Sequence, residues 1–139
     1  MAKKDLDWAN IGFAYRQTDK RFVANYADGA WDEGALVDDA NVTLNESAGI
    51  LQYCQQVFEG MKAYTWEDGS VVCFRPDMNA KRMADSAKRI EMPSIPEELF
   101  LKAIDEVVKA NIDWVPPYGS GSSLYIRPYE FATGVVIGV

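Results

Sequence analysis

The sequence contains no histidine. That absence excludes every mechanism built on a side-chain imidazole, from Ser-His-Asp triads and Cys-His dyads to His-ligated zinc. Basic residues are scarce too. The 14 Lys and Arg stand against 21 Asp and Glu, a net charge of −7. A nucleic-acid backbone is bound through clustered positive charge, which this composition does not supply. A small anion stays within reach, because one or two placed arginines suffice. Cysteine is limited to Cys54 and Cys73, in no C-x-x-C and no metal spacing. They read as buried free thiols in a reducing compartment. No apolar run is long enough to span a bilayer. Met1 to Trp8 is charged and lacks an apolar core, so no signal peptide is expected and a cytoplasmic location follows.

What is present is the composition of one globular domain: 139 residues, 48% hydrophobic and 25% charged. Residues 1–20 are polar and loop-like. Alternation through Phe22, Ala24 and Tyr26, the Asp28-Gly29 turn and a return over Ala30 to Gly34 predict a hairpin over 21–34. Ser47 or Asn45 caps a predicted helix that runs to about Phe58, on the spacing of Ile50, Leu51, Cys54, Val57 and Phe58. Glu59-Gly60 ends it. A second hairpin follows, from Met61 to Phe74, around a turn at Glu67 to Ser70. Pro76-Asp77 opens a helix to about Ile90, and Pro93 stops it. Pro96-Glu97-Glu98 starts another, with Leu99, Phe100, Ala103, Ile104, Val107 and Val108 as its apolar stripe. Pro116-Pro117 and Gly119 to Ser122 form a loop, and residues 123–132 read as a strand. Hairpins interleaved with helices predict an α+β, two-layer domain with a mainly antiparallel sheet and three to four helices.

Ser123 to Thr133 is the most unusual segment. Tyr125, Arg127 and Tyr129 share one face of the predicted strand, and Leu124 and Ile126 the other. The aliphatic face meets the core. The Tyr-Arg-Tyr face is either an anion site, a guanidinium flanked by hydroxyls, or an ordinary solvated outer face. Arg82 has the same two readings: a phosphate grip, or one charge on an exposed helix face laced by pairs such as Lys81 with Asp85. Tyr53 and Phe58 on the predicted first helix read as core or interface. Lys62 reads as an exposed strand lysine before it reads as a buried reactive amine. Gly119 to Ser122 lacks the G-x-x-x-x-G-K pattern and a following helix, so it is a turn and no phosphate loop.

Ordered motifs add a resemblance. Val57-Phe58-Glu59-Gly60-Met61-Lys62-Ala63-Tyr64 comes first. Phe74-Arg75-Pro76 with Asn79, Arg82 and Ser86-Ala87 follows. Then come Asp113-Trp114-Val115-Pro116, Leu124-Tyr125-Ile126-Arg127-Pro128 and the closing Ile137-Gly138-Val139. Together they resemble the branched-chain aminotransferases, fold-type IV enzymes dependent on pyridoxal phosphate, from about Phe13 to the last residue. The resemblance implies the small-domain fold of D-amino-acid-aminotransferase-like proteins. It implies that Arg82 grips the cofactor phosphate, that Tyr125 lies near the substrate α-carboxylate, and that Arg127 receives the side-chain carboxylate of glutamate. It makes Phe58 an aromatic wall of the pocket for branched aliphatic side chains, and Tyr15 a pocket aromatic near the N-terminus. Tyr53 and Val139 would reach the neighbouring subunit's site in a homodimer.

The resemblance also implies what this sequence does not carry. The Schiff-base lysine and the acid facing the pyridine nitrogen belong to the family's second, larger domain, and Lys62 does not match that lysine. Residues 1–133 would be the small N-terminal domain and 134–139 the start of an interdomain loop. No catalytic residue is then expected in this chain. It would be inactive alone and would not retain the cofactor. The complete enzyme would pass an amino group from leucine, isoleucine or valine to 2-oxoglutarate. The rivals are a D-amino-acid aminotransferase or aminodeoxychorismate lyase of the same fold type, and a non-enzymatic domain that dimerises or binds an anion. None of these readings calls for nucleic acid, membrane or metal.

Overall fold

The structure is a computed structural model that describes residues 3–136. Ile137, Gly138 and Val139 lie outside the described residues, and with them the predicted role of Val139.

The first hairpin is longer than the alternation predicts. β1 (Arg21–Val23) pairs with β4 (Ala35–Val37), and β2 (Tyr26–Ala27) pairs with β3 (Ala30–Trp31) around the Asp28-Gly29 turn. Arg21 faces Val37 whereas Tyr26 faces Trp31, so the return strand carries one residue more than its partner. That residue is taken up as a bulge at Asp32 to Gly34. The Asp32 carboxylate accepts the N–H groups of Asn25 and Gly34, and Gly34 takes φ +66° there.

The predicted first helix is corrected. α1 (Gly49–Tyr53) is only five residues long, and Cys54 ends it in the left-handed region at φ 54°. Gln56–Phe58 is a strand, β5, so Phe58 is not helical and Glu59-Gly60 is not a helix cap. Over so few residues the apolar spacing of a helix and of a strand coincide, and pairing decides. Gln56, Val57 and Phe58 pair antiparallel with β9 (Tyr129–Phe131). Cys54 is exposed and Cys73 only partly buried, against the reading of two buried thiols. Partial burial pushes the Cys73 thiol up.

β6 (Met61–Thr65) and β7 (Val71–Cys73) form the predicted second hairpin, and β8 (Leu124–Ile126) pairs with the other edge of β6. The predicted strand over 123–132 is thus two strands, divided at Arg127-Pro128. The division is chemical rather than topological. Phe58 faces Tyr129 and Met61 faces Ile126, so one register runs through both ladders, with Glu59 opposite Pro128 and Gly60 opposite Arg127. Glu59 N–H donates to the Pro128 carbonyl at 2.8 Å. Proline has no N–H to return the bond. Residues 56–65 and 124–131 are therefore one antiparallel pair with a single missing rung.

That pair has two faces. Val57, Glu59, Met61, Ala63, Ile126 and Glu130 are buried on the inner one. On it lie α2 (Pro76–Arg89) and α3 (Glu97–Ala110). Both start with proline and acidic residues and end with basic ones, as the helix dipole favours. α2 buries Ala80, Met83 and Ala87, and the alanines let its backbone approach the sheet. α3 buries Phe100, Ile104 and Val108 at i, i+4, i+8. Phe58, Lys62, Tyr64, Tyr125, Arg127 and Tyr129 are exposed on the outer face.

The N-terminal strap, with one 3-10 turn at Trp8–Asn10, is tied to the end of α3 by Asn111. This buried amide accepts the N–H groups of Asp19 and Lys20. It donates to the carbonyls of Lys20 and Val107. The architecture is the expected α+β two-layer domain, with three α-helices among the described residues. No helix among those residues is long and apolar enough to cross a membrane. No cluster of three or more potential metal-ligating residues occurs among them either.

Candidate functional site

The tripeptide Phe58-Glu59-Gly60 serves both faces of the sheet. Strand alternation sends Phe58 outward and Glu59 inward, and Gly60 outward without a side chain.

On the outer face three sequence-predicted residues meet. The Arg127 guanidinium lies 4.5 Å from the Phe58 ring centroid and 5.2 Å from that of Tyr125. Its Nη2 and Nε donate to the Tyr125 hydroxyl at 3.1 and 3.3 Å. The hydroxyl oxygen accepts from arginine, so its own proton is left to donate elsewhere. Gly60 makes this possible. A Cβ there would stand 2.4 Å from the Tyr125 hydroxyl oxygen. Lys62 is directly opposite Tyr125 in the ladder and exposed, as the safer reading of it had it. Tyr129 and Phe131 extend the aromatic surface, stacked at 5.7 Å.

On the inner face stands Arg82, with a partner the sequence did not suggest. Glu59 is only 3% exposed. Arg82 donates to it twice, Nε to Oε1 at 2.6 Å and Nη2 to Oε2 at 2.5 Å, and Asn79 Nδ2 donates at 2.8 Å. Burial pushes the Glu59 carboxyl up. The hydrogen bonds from Arg82 and Asn79, the Arg82 charge and the Gly60 N–H outweigh burial, so the carboxyl ends below its usual range. The same pairing raises Arg82. The Arg82 side chain is itself 69% exposed. Glu59 takes the Nε–Nη2 side of the guanidinium, and the Nη1–Nη2 end is free of protein partners among the described residues. That end is the second two-donor fork of an arginine, the one that fits two oxygens of a phosphate.

The remaining predicted residues stand apart. Tyr53 is exposed at the end of α1. Tyr15 is exposed on the strap, where it lines a shallow groove with Arg16, Lys20, Arg21 and Asp38. A signal for Glu59 was available in the sequence. With 56–58 read as strand, Val57, Glu59 and Met61 fall on one buried face, and a buried acid demands a cation. Glu130 answers to the same logic but finds none. It is 7% exposed, Oε2 has no hydrogen-bond partner, and burial pushes its carboxyl up to about 7.

No family model matches the chain. Among curated proteins it is similar to the branched-chain-amino-acid aminotransferase of Haemophilus influenzae, 54% identical over 136 residues. That match covers 98% of this chain and 40% of the relative. Two solved structures are similar at 31% identity and a TM-score of 0.59. One is the branched-chain aminotransferase of the archaeon Thermoproteus uzoniensis with norvaline, covering 76% of this chain and 33% of that one. The other is a bacterial-type branched-chain amino acid aminotransferase complexed with N-(5'-phosphopyridoxyl)-L-glutamate, covering 74% of this chain and 33% of that one. The chain thus spans about 40% of the length of the curated relative it matches.

Proposed function

The chain belongs to the branched-chain aminotransferases, and on that premise we propose that it forms the small domain that presents substrate and cofactor phosphate to the reaction in such an enzyme. Residues 1–133 are that domain in this reading, and 134–139 lead toward a second domain that bears the reactive lysine. The observation that carries the reading is the contact of Arg127 with both Phe58 and Tyr125.

Such an enzyme accepts leucine, isoleucine or valine in one half-reaction and glutamate in the other. One pocket must then bury an aliphatic chain and also receive a second carboxylate. The Phe58 ring supplies apolar surface for the first task, where burial of each methylene contributes about 0.8 kcal/mol. Arg127, held flat over that ring, turns its edge N–H donors to the carboxylate in the second. The Tyr125 proton, not used by Arg127, orients the α-carboxylate common to every substrate. Norvaline and a glutamate adduct, held by the two similar structures, are one aliphatic and one acidic occupant of related proteins.

Arg82 fits a phosphate group, since its free fork matches two oxygens of pyridoxal phosphate. That group, when bound, supplies the electron sink for chemistry at the amino-acid Cα. This chain's part is to hold its phosphate through Arg82 and to shape the substrate side through Phe58, Tyr125 and Arg127. The lysine that holds and moves the Cα proton belongs to the second domain. The chain alone is therefore inactive and does not retain the cofactor. Tyr53, exposed on α1, and Val139 reach the partner's site in a homodimer, and Tyr15 closes the pocket from the strap. The setting is the cytoplasm.

The test replaces the 136 matched residues of the Haemophilus influenzae relative by this chain. The account expects amino transfer from leucine to 2-oxoglutarate within about tenfold of the parent, a difference of about 1.4 kcal/mol. A folded, cofactor-loaded hybrid that transfers from D-alanine but not from leucine contradicts it.

A further inference from the structure

We infer that Glu59, braced by Asn79, is a positioning residue that sets Arg82 as a rigid phosphate receptor; the inference rests on the phosphate-binding reading of Arg82. An arginine that is 69% exposed on a helix ordinarily samples many rotamers. Arg82 cannot. Its Nε and Nη2 are both committed to one carboxylate, 3% exposed and fixed in the sheet ladder by the Glu59 N–H bond to Pro128. Two parallel bonds fix the plane of the guanidinium as well as its position. Asn79 stands one helical turn before Arg82. It donates to Glu59 Oε2 at 2.8 Å and to the Gly60 carbonyl at 3.4 Å, which holds the carboxylate in the same plane.

The arrangement has an opposing term. A carboxylate behind Arg82 offsets part of the positive field that an anion feels. Two geometric facts limit that loss. Glu59 occupies the side edge of the guanidinium, whereas a phosphate meets the far end. And an unbraced Arg82 would have to give up its rotamer freedom on every binding event, a cost the brace removes in advance. The pairing also reaches the substrate side. Glu59 is flanked by Phe58, beneath Arg127, and by Gly60, over which Tyr125 lies. The ligand-facing atoms of both faces are therefore set by the same three residues.

The experiment uses the whole 139-residue chain, with inorganic phosphate as the probe. The Arg82 Nε–H proton is followed by NMR. Bonded to a buried carboxylate, it exchanges slowly and gives a resolved signal that shifts as phosphate is added. Glu59→Gln is expected to abolish the slow exchange and weaken the phosphate-dependent shift about tenfold, the lower end of what supporting residues contribute at liganded sites. Asn79→Ala, milder for folding, is expected to weaken it about threefold. Unchanged or tighter phosphate binding in both variants overturns the brace and leaves Arg82 as the phosphate residue. An Arg82 signal that ignores phosphate in the unaltered chain overturns the phosphate reading itself. If Glu59→Gln fails to fold by its amide spectrum, Asn79→Ala carries the decision.

Discussion

Two buried glutamates on one sheet face have opposite fates, and partners account for the difference. Glu59 meets Arg82 and Asn79, and its carboxyl lies below the usual range. Glu130 meets no donor, and its carboxyl is pushed up to about 7 by burial. The pH dependence follows in sign. The folded state binds the Glu130 proton more tightly than the unfolded chain, whose carboxyl titrates near 4.5. Its contribution is therefore intact below pH 4.5 and is lost as pH rises toward and through 7. The loss amounts to about 3 kcal/mol at full ionisation. Glu59 works the other way, contributing above the usual glutamate range and failing as pH falls through its lowered value. Glu130→Gln is expected to match the unaltered chain at pH 5 and to be more stable at pH 8. Urea denaturation at the two pH values checks this, and parallel pH slopes in both proteins would refute it. Alternation places Glu130 on the aliphatic face of its segment together with Ile126, yet the sequence alone assigns it no role. Nothing in the local pattern says whether a buried acid has found a cation.

At the scale of elements, long periodic segments were legible and short ones were not. The stripes of α2 and α3 extend over enough turns to exclude a strand. Residues 49–58 do not: Ile50, Leu51, Cys54, Val57 and Phe58 satisfy a helix, while the structure divides them between α1 and β5. Pairing with Tyr129 to Phe131, more than 70 positions away in sequence, made that choice. The bulge at Asp32 to Gly34 and the missing rung at Pro128 were hidden for the same reason, since each is defined by a partner strand. Of the site, Phe58, Tyr125 and Arg127 were visible through alternation and resemblance, and Glu59 was not until the strand was known. Asn111 is another element-scale device, joining the strap to α3 with four hydrogen bonds. Asn111→Ala is expected to cost about 1–3 kcal/mol, because it leaves Asp19 and Lys20 backbone groups without their partners. Hydrogen exchange is expected to accelerate at Asp19 and Lys20 first, with α2 little changed. Uniform acceleration would mean that the strap is not a separate unit.

Across the whole molecule, the helices cover one face of the sheet and leave the other to ligands. The inner face builds stability and anchors Arg82, and the outer face carries the aromatic and arginine surface. A chain without histidine and short of basic residues places two of its few arginines, one on each face, at positions fixed by Phe58-Glu59-Gly60. That division predicts which half-reaction each change disturbs. Arg82 and its brace act on the phosphate, common to both substrates. Arg127 acts on the one carboxylate that distinguishes glutamate and 2-oxoglutarate from branched aliphatic partners. The most direct measurement is Arg127→Ala in the active hybrid with the Haemophilus influenzae relative, with KM determined for leucine and for 2-oxoglutarate. The account predicts a rise of about 10- to 100-fold in KM for 2-oxoglutarate, as loss of a charge-assisted hydrogen bond implies, with leucine changed less than about threefold. Equal loss for both substrates, or for neither, would contradict it.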